Sequence, residues 1–281
     1  MDKPAGMTSH DAVQRIRRTL GIRAAGHTGT LDPFATGLLV VLLGRATRLA
    51  RFVEAQAKQY LATARLGIQT TTDDLTGPAI ATSPLDIPPS EHQVREALAT
   101  FLGSQLQQPP QFSAKRVAGV RSYRRARRGD LVELADVPVT VHTIELVKYQ
   151  PPDLTFRVLV SSGTYIRAIA RDLGQRLGVG GHLTALRRES IGSLRVEDAH
   201  PLEELGPASV LPAHAVLQDL PSVDLDETER QAVAHGRAVV GGEAVGRVGS
   251  GAVALLASGH LIGVAEAVDG WLRPRVVLET P

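Results

Sequence analysis

Cysteine is absent from the 281 residues, and aromatic residues make up only 4% of them. The absence of cysteine excludes disulfide scaffolds, thiolate zinc sites and cysteine nucleophiles, and it is compatible with a reducing compartment. Hydrophobic runs are short, since the apolar run at residues 38–43 falls far below the roughly 20 residues of a membrane-spanning helix. The N-terminal residues contain no hydrophobic signal region. We therefore expect a cytoplasmic protein that is neither secreted nor inserted into a membrane.

Four common catalytic motifs are missing as well. The sequence contains no Gly-x-x-x-x-Gly-Lys-Ser/Thr loop of the P-loop ATPases and no Gly-x-Ser-x-Gly elbow of the serine hydrolases. Its nine histidines show no His-Glu-x-x-His or comparable ligand spacing, and no Rossmann fingerprint follows the first strand. If the protein is an enzyme, we expect it to work without a metal or a dinucleotide.

The basic residues are nearly all arginine, with four lysines beside 27 arginines. They are also segregated, because residues 97–129 contain seven basic residues and no acid, whereas residues 197–230 contain nine acids and one base. Arginine forks bind phosphates and stack on bases, so the first group is a candidate RNA-binding surface. A solvated surface or a patch paired with acids is the alternative. We call the following seven residues the basic cluster: Lys115, Arg116, Arg121, Arg124, Arg125, Arg127 and Arg128.

The length of the chain and an acidic stretch predict two domains. At about 150 residues per domain, the length corresponds to two. Residues 201–226 are acidic and spaced by prolines, which is typical of a boundary. We therefore expect a first domain over residues 1–219 and a second over residues 220–281. Short alternating segments in the second domain predict a small β-barrel-like module.

Local patterns predict the elements of the first domain. Capping boxes predict helices that begin after Thr8 and after Ser90, and another helix is predicted to follow residues 163–167. Predicted strands cover residues 59–66, 137–147 and 154–160. The remaining predictions are a short basic helix over residues 45–55, a long loop over residues 70–89 and an exposed insertion over about residues 104–136.

The most informative segment is a loop rich in glycine and threonine. Residues 26–33 read Gly-His-Thr-Gly-Thr-Leu-Asp-Pro. Gly26 and Gly29 would let another backbone or a ligand approach closely. Asp32 could be a turn residue, a role that aspartate fills by bonding its own backbone. A carboxylate on such a loop could instead act as a nucleophile, given a cation that keeps it ionised.

Five motifs occur in order along the chain. Residues 26–37 read Gly-His-Thr-Gly-x-Leu-Asp-Pro-x-Ala-Thr-Gly. The other four are Asp-Lys-Pro-x-Gly-Met-Thr-Ser at residues 2–9, Lys-x-Tyr at residues 58–60, Gly-Thr-Tyr-Ile-Arg at residues 163–167 and His-Leu-x-x-Leu-Arg-Arg at residues 182–188. In this combination the chain resembles the TruB family of tRNA pseudouridine synthases along nearly its whole length. The resemblance implies an α+β fold, in which a mixed, largely antiparallel sheet with flanking helices is joined to a small C-terminal PUA barrel.

The resemblance also implies an activity, the isomerisation of uridine to pseudouridine at position 55 in the T loop of tRNA, with no cofactor and no metal. Asp32 would attack the uridine, at the uracil C6 or at the ribose C1′. Arg167 would pair with Asp32 and keep it ionised. Tyr60 would stack on the uracil and is a candidate for the proton abstraction that follows. From the residues alone, Tyr60 is a half-buried strand tyrosine and Arg167 is a surface arginine at a helix start.

Further matched residues are implied to bind the substrate. A uridine inside a folded loop must leave its stack to reach a protein pocket, and His27 matches the family histidine that fills the vacated space. Tyr165 and Leu186 would line the pocket with apolar surface, which is compatible with their being ordinary core residues. Lys3 and Pro4 match a segment that supports the pocket.

The basic cluster and the C-terminal segment gain RNA-binding roles from the resemblance. Residues 107–129 resemble a family insertion that closes over the T arm of tRNA, where phosphate contacts would make the affinity fall with salt. Residues 235–275 resemble a PUA domain, expected to reach toward the acceptor stem. The implied partner is therefore tRNA, and we expect a monomer with no obligatory protein partner.

Two segments depart from the family pattern. Where many relatives read Thr-Asp-Thr-x-Asp, residues 70–74 read Thr-Thr-Thr-Asp-Asp, so we keep only Asp74, in a structural or RNA-adjacent role. Relatives usually also have a short apolar strand before the motif that here begins at Asp2, so we expect either a missing edge strand or a different start site.

Two rival functions stay open at this point. One is a tRNA-binding chaperone without turnover, although the presence of Asp32, Tyr60 and Arg167 argues against a pure loss of catalysis. The other is the catalytic subunit of an RNA-guided particle, which would require stable protein partners.

Overall fold

The computed structural model describes residues 1–112, 134–241 and 251–279, and between residues 116 and 121 the backbone of two short strands. The helices are α1 (Ser9–Leu20), α2 (Ala50–Glu54), α3 (Glu91–Ala99), α4 (Ile166–Arg176) and α5 (Glu227–Ala234). The strands of the first part are β1 (Asp2–Lys3), β2 (Ala25–His27), β3 (Thr36–Leu38), β4 (Val41–Leu43), β5 (Lys58–Leu66), β6 (Ile68–Thr70), β7 (Ala79–Thr82), β8 (Gly103–Gln107), β9 (Arg116–Val117), β10 (Val120–Arg121), β11 (Val137–Gln150), β12 (Asp153–Val160), β13 (Gly181–Ile191) and β14 (Leu194–Arg195). Those of the last part are β15 (Ser222–Asp224), β16 (Val239–Val240), β17 (Gly251–Ala257), β18 (His260–Val268) and β19 (Trp271–Val277).

Helix α1 begins and ends where its local sequence predicts. The Thr8 hydroxyl accepts a hydrogen bond from the backbone N–H of Asp11, and the Asp11 carboxylate accepts one from the backbone N–H of Thr8. These bonds satisfy two N–H groups that a helix start leaves free. The helix ends at Gly21, whose φ of 64° lies in the left-handed region that glycine adopts without strain. Val13 and Ile16 form its buried face.

The central sheet has eight strands and is mixed but largely antiparallel, as predicted. Seven strands follow the order β1-β3-β13-β5-β12-β11-β8, and β14 pairs with β13. Among these pairs only β13 and β3 run parallel. The long hairpin of β11 and β12 and the neighbouring strand β5 confirm the three strands expected from the sequence.

The core of the first part lies between this sheet and two helices. Strand β5 alternates buried and partly exposed residues, and so does β12, as expected of a sheet with one face against a core. Phe156 of β12, Leu98 of α3, and Ile169 and Leu173 of α4 are all at most 2% exposed and belong to one cluster. Full burial of such side chains stabilises the fold by about 1.5–3 kcal/mol each, so α4 is fixed firmly to the sheet.

Three local predictions are wrong in part. Residues 70–89 are not one long loop, because β6 pairs with β7 in a hairpin. All four β7 residues are exposed, so no alternation of buried residues could reveal this strand. The predicted insertion at about residues 104–136 overlaps β8, which pairs with β11 at the sheet edge. The basic helix predicted over residues 45–55 begins as a 3-10 turn over Gly44–Leu49, and only Ala50–Glu54 is α-helical.

The last part forms a second sheet that packs against the first part. Its five strands follow the order β15-β17-β18-β19-β16, with α5 beside them, and within the described residues this path is open. Val264 and Val276 from this sheet share a buried cluster with Leu38 and Leu42. Four 3-10 turns connect the two parts: Val196–Asp198, Leu202–Glu204, Pro207–Ser209 and Ala213–Leu217. Across the described residues, no helix is long and apolar enough to cross a membrane.

Candidate active site

The loop between β2 and β3 presents Asp32. Ser9, at the start of α1, fixes Leu31, the residue before Asp32. The Ser9 hydroxyl accepts from the Leu31 N–H at 2.9 Å and lies 3.2 Å from the Leu31 carbonyl oxygen. The Asp32 carbonyl accepts from the Ala35 N–H at 3.0 Å, which closes a turn. Asp32 therefore is a turn residue, as the local sequence suggests. Its carboxylate nevertheless stays 32% exposed and faces a cavity.

Arg167, in the first turn of α4, pairs with the Asp32 carboxylate. Its Nε lies 3.0 Å from Asp32 Oδ2 and its Nη2 lies 3.4 Å from Oδ1. The Arg167 side chain is only 7% exposed, so it is not a surface arginine. Two-point pairing of a guanidinium with a carboxylate fixes orientation as well as charge.

Asp74 shares the same guanidinium. Its Oδ2 lies 3.3 Å from Arg167 Nη1, and its side chain is 5% exposed. Its Oδ1 accepts hydrogen bonds from the hydroxyls of Thr72 and Thr76 and from the Thr76 N–H. Asp74 is thereby held in place by its own loop and anchors Arg167 from the side opposite Asp32. The sequence predicts a structural or RNA-adjacent role for Asp74; these contacts support the structural role, and Asp74 also lines the cavity.

Two backbone carbonyls complete the surroundings of Arg167. Its Nη1 donates to the Thr72 carbonyl and its Nη2 to the Phe112 carbonyl, both at 2.9 Å. A buried charge is tolerated only when it is paired and hydrogen-bonded. Since each of these contacts fixes the guanidinium, Asp32 meets an arginine that has little freedom to move.

The environment raises the pKa of Asp32 above the ordinary value of an aspartate. Burial is the main cause, since it disfavours the charged carboxylate, and the neighbouring Asp74 acts in the same direction. The positive charge of Arg167 acts in the opposite direction and lowers the pKa of Asp32, and Lys3 lowers it to a lesser extent. Asp32 is therefore a carboxylate that binds its proton more tightly than a free aspartate.

Lys3 lies beneath the loop and Pro4 lies at its edge. The Lys3 side chain is fully buried, and its ammonium donates to the carbonyls of Pro4 at 2.8 Å and Met7 at 2.9 Å. Its Nζ also approaches the Pro33 carbonyl, at 3.5 Å. Pro4 is exposed, and neither Lys3 nor Pro4 lines the cavity. Lys3 therefore stands behind the site and approaches the Asp32 turn at Pro33, and Pro4 supplies a carbonyl that binds the Lys3 ammonium.

The cavity has a volume of about 1240 Å³ and brings six of the predicted residues together: His27, Asp32, Tyr60, Tyr165, Arg167 and Leu186. Tyr60 of β5 and Leu186 of β13 are each 7% exposed and supply apolar wall. Tyr165, at the N-terminus of α4, is half-buried. A carboxylate in a pocket with a partly aromatic wall can attack a flat ring while that ring stacks on the wall.

His27 faces the same cavity from β2. Burial lowers the pKa of His27, and the nearby Arg188 adds to the effect, so the imidazole is neutral at pH 7. Its Nδ1 is buried and has no hydrogen-bond partner among the described residues. A neutral ring suits packing and hydrogen bonding with a substrate better than acid–base work.

Two buried cations of the site, Lys58 and Arg188, were given no role by the sequence. Arg188 is 1% exposed and donates to the carbonyls of Leu38 at 2.7 Å and Gly29 at 3.1 Å, so it holds β3 and the loop that ends at Asp32. The Lys58 ammonium donates to the carbonyls of Glu54 and Gln56, and burial lowers the pKa of Lys58 to about 8. Lys58 belongs to the sequence motif at 58–60 and Arg188 to the motif at 182–188. Membership in these motifs was the sequence signal that could have pointed to them.

The basic cluster lies outside the residues whose side chains the structure describes. A metal centre was not expected, and the described part of the chain contains no group of three or more His, Asp or Glu residues that could hold a metal ion.

Family models match the chain in three adjoining segments. Residues 17–166 match TruB family pseudouridylate synthase (N terminal domain). Residues 167–223 match tRNA pseudouridylate synthase B C-terminal domain, and residues 221–278 match Pseudouridine synthase II TruB, C-terminal. The first match alone spans more than half of the chain and includes Asp32 and Tyr60.

Curated relatives are similar over their full length. The chain is 46% identical to tRNA pseudouridine synthase B of Thermobifida fusca (strain YX), over 99% of this chain and 96% of the relative. It is 41% identical to tRNA pseudouridine synthase B of Aromatoleum aromaticum (strain DSM 19018 / LMG 30748 / EbN1), over 100% of this chain and 92% of the relative.

Solved structures share the fold. A chain of a Cbf5-Nop10-Gar1 complex matches with a TM-score of 0.75 and 25% identity, over 99% of this chain and 84% of that chain. A chain of an H/ACA RNP bound to a substrate RNA containing 2'-deoxyuridine matches with a TM-score of 0.73 and 22% identity, over 99% of this chain and 83% of that chain. These matches and the observed sheets confirm the predicted fold class.

Proposed function

The chain belongs to the TruB family of pseudouridine synthases, and from this premise we propose that it converts the uridine at position 55 in the T loop of tRNA to pseudouridine. The observation that carries the proposal is the Asp32–Arg167 pair in a cavity whose wall includes Tyr60, Tyr165 and Leu186. It supplies the nucleophile that this isomerisation needs from a protein, a positioned carboxylate held by a cation.

Asp32 acts as the nucleophile. It attacks the uridine at the uracil C6 or at the ribose C1′, which forms a temporary bond between the Asp32 carboxylate and that carbon. In either route the N1–C1′ bond breaks, the base turns, a C5–C1′ bond forms, and the bond to Asp32 breaks so that the carboxylate is regenerated. The proton on C5 is lost to water and N1 gains a proton, so atoms balance and no net oxidation or hydrolysis occurs. Such chemistry needs no redox cofactor.

Arg167 and Asp74 set the state of the nucleophile. Arg167 favours the ionised form of Asp32 and fixes its direction, while Asp74 fixes Arg167. We assign Asp32, Tyr60 and Arg167 as the catalytic residues. In this proposal Tyr60 stacks on the uracil and is the candidate for receiving the C5 proton; its position on the same cavity wall as Asp32 supports this role.

The target uridine must leave its stack to reach this cavity, at a cost of a few kcal/mol. His27 fills the space that the flipped nucleotide vacates, and its neutral ring can stack and hydrogen-bond there. Tyr165 and Leu186 enclose the flipped base, and Lys3 and Pro4 support the turn that presents Asp32.

The RNA contacts extend beyond the cavity. We assign the basic cluster to the phosphates of the T arm and the second domain, residues 220–281, to a PUA-like role nearer the acceptor stem. The first domain, residues 1–219, holds the active site. The enzyme acts as a monomer in the cytoplasm, with tRNA as its partner and no obligatory protein partner.

The test uses an unmodified T-arm stem-loop transcript with tritium at uracil C5. Formation of the C5–C1′ bond must release that tritium to water, so we expect release by the wild type and none by Asp32→Asn. The Asp32→Asn protein should fold and bind RNA, because Asn has nearly the same volume and Arg167 keeps its ion pair with Asp74. Melting temperature and RNA affinity serve as controls.

Two outcomes contradict the proposal. Appreciable release by Asp32→Asn would remove Asp32 from the role of nucleophile. Tight binding of the transcript by the wild type without release would favour a chaperone, or a subunit that needs a guide RNA and protein partners.

A further inference from the structure

The helix that carries Arg167 begins without a capping side chain of its own. Tyr165 occupies the N-cap position of α4 and makes no side-chain cap bond. In α1, α3 and α5 that position is filled by Thr8, Ser90 and Asp226, each of which forms a capping box. Helix starts leave backbone N–H groups without intrahelical partners, so the backbone around Tyr165 needs partners from elsewhere.

Gln107 supplies a partner for the Tyr165 N–H and a second partner for the Tyr165 carbonyl, which also accepts from the Ile169 N–H. Its Oε1 accepts from the Tyr165 N–H at 2.8 Å, and its Nε2 donates to the Tyr165 carbonyl at 3.1 Å. The Gln107 side chain is buried, with 6% of the residue exposed. A carboxamide is a side chain that offers a donor and an acceptor together, so it pairs with both polar groups of one residue as a neighbouring strand would.

The backbone of Gln107 is fixed independently of this contact. Gln107 is the last residue of β8, where it pairs with Val137 of β11 at the edge of the central sheet. Its side chain therefore joins the rigid sheet to the first residues of α4. Arg167 follows Tyr165 by two residues, within the first turn of the helix.

The chain after Gln107 continues along the same helix. The Gln108 carbonyl accepts from Arg171 Nη2 at 3.0 Å, and the Phe112 carbonyl accepts from Arg167 Nη2 at 2.9 Å. Residues 107–112 thus follow the first two turns of α4, and they lead directly into the segment that holds the basic cluster.

We propose that Gln107 is a positioning residue of the active site, whose amide fixes Tyr165 and, through the start of α4, the guanidinium of Arg167 against Asp32. The inference rests on the proposed function for its catalytic consequence. The anchoring of α4 by Gln107 is a separate physical claim, which can be measured without substrate.

The experiment compares three variants with the wild type. Gln107→Met removes the donor and the acceptor while keeping the side-chain volume, and Gln107→Glu keeps the acceptor but loses the donor when ionised. The matched control is Gln105→Met on the same strand, where Gln105 is half-buried and donates to the Phe101 carbonyl, away from the site. Readouts are single-turnover tritium release at saturating protein, RNA affinity, and amide hydrogen exchange at residues 165–167.

For Gln107→Met we expect a single-turnover rate about tenfold lower, the order of effect when one or two hydrogen bonds that hold catalytic geometry are removed. RNA affinity should stay within about twofold of the wild type. Hydrogen exchange should become faster at residues 165–167. The control Gln105→Met should match the wild type in all three readouts.

The Gln107→Glu variant provides a further readout, the pH dependence of its rate, which would not change if Gln107 had a purely structural role. A protonated carboxyl can donate to the Tyr165 carbonyl and accept from the Tyr165 N–H, as the amide does, whereas the ionised form repels the carbonyl. Burial beside that carbonyl raises the pKa of the introduced carboxyl. Its rate relative to the wild type at the same pH should therefore rise as the pH falls from about 8 to about 5.5.

The outcomes separate the two proposals. A wild-type rate for Gln107→Met, or a change in RNA affinity alone, overturns the positioning role, as does a relative rate for Gln107→Glu that is independent of pH. Unchanged exchange at residues 165–167 in Gln107→Met overturns the anchoring itself. A wild type that releases no tritium contradicts the proposed function, while the exchange measurement still decides whether Gln107 anchors α4.

Discussion

At the scale of residues, one arginine serves two carboxylates, and the sharing determines how each behaves. Arg167 lies within 3.0 Å of Asp32 and 3.3 Å of Asp74, but only Asp32 faces the cavity with a substantial exposed fraction. Asp74 Oδ1 accepts hydrogen bonds from Thr72 and Thr76 of its own loop, and these bonds hold the carboxylate in place. Asp74 therefore holds the arginine, and Asp32 remains available for reaction.

This division predicts the effect of Asp74→Asn. Removing a negative neighbour that raises the pKa of Asp32 should lower that pKa, so Asp32 stays ionised to a lower pH. The acid limb of kcat/KM, which reports the free enzyme, should shift to lower pH. The plateau rate should also fall. The amide nitrogen introduced at position 74 would face the Arg167 guanidinium, and two hydrogen-bond donors cannot bond to each other, so Arg167 would be held less firmly. The measurement is kcat/KM for tritium release across the pH range.

Asp73→Asn is the matched control for this measurement. Asp73 is the neighbouring acid in the same loop, but it forms its ion pair with Arg171 at 3.0 Å. An equal shift of the acid limb in both variants would mean that the general charge of the loop, and not the pairing of Asp74 with Arg167, controls Asp32.

At the scale of elements, the site depends on how closely β3 approaches β13. Gly37 lies between Lys3 of β1 and Arg188 of β13 in the sheet, with a φ of 101°. A Cβ at this position would lie 2.3 Å from the Arg188 carbonyl oxygen and 2.7 Å from its nitrogen. The strand that follows the Asp32 loop can pair with β13 only because residue 37 has no side chain.

We therefore expect Gly37→Ala to destabilise the protein by about 2–5 kcal/mol, the sum of overpacking and a left-handed backbone for a residue with a Cβ. The free energy of unfolding in urea measures the effect. Gly26→Ala belongs to the same sequence motif and is the control, since a Cβ there has nothing within 4 Å and its φ lies outside the left-handed region. Equal stability of the two variants would contradict this account.

At the scale of the whole molecule, two sheets are joined into one body. The guanidinium groups of Arg45 and Arg48 donate to the carbonyls of Leu278 and Val277 at the end of the second sheet. The shared apolar cluster buries Val264 and Val276 against the first part. An RNA that contacts both parts would therefore meet a fixed arrangement of them.

The charge of the basic cluster leads to a prediction at this scale. Replacing Arg124, Arg125, Arg127 and Arg128 by Gln should weaken binding of the T-arm RNA and flatten its dependence on salt, by about 0.7–0.9 in log–log slope for each phosphate that is no longer neutralised. Binding titrations at several salt concentrations measure the slope.

The control for this change is the double variant Arg65→Gln and Arg95→Gln. These arginines are paired with Asp153 and Glu91 on the surface, so we expect them to leave the slope unchanged. An unchanged slope in the fourfold variant would return the cluster to the role of a solvated surface.

The sequence alone determined those features that depend on neighbouring residues, such as helix starts and strands, and those that depend on whole motifs, such as the family. The capping boxes located α1 and α3, the alternation located β5, and an uninterrupted signature identified the family and singled out Asp32 as the candidate nucleophile. It failed at β7, because all of its residues are exposed and no burial pattern marks the strand. It also gave no role to Arg188, although this residue lies in a matched motif.

Only the tertiary structure shows how distant groups meet, although the family resemblance already implied that Arg167 pairs with Asp32. Asp32 and Arg167 are 135 residues apart, Arg188 and Gly29 are 159 apart, and Gln107 and Tyr165 are 58 apart. Their contacts arise where strands from different parts of the chain become neighbours and where α4 packs on the sheet. Local sequence fixes backbone preference through atoms a few bonds away, whereas burial, pKa and the sharing of one guanidinium depend on atoms that folding brings together.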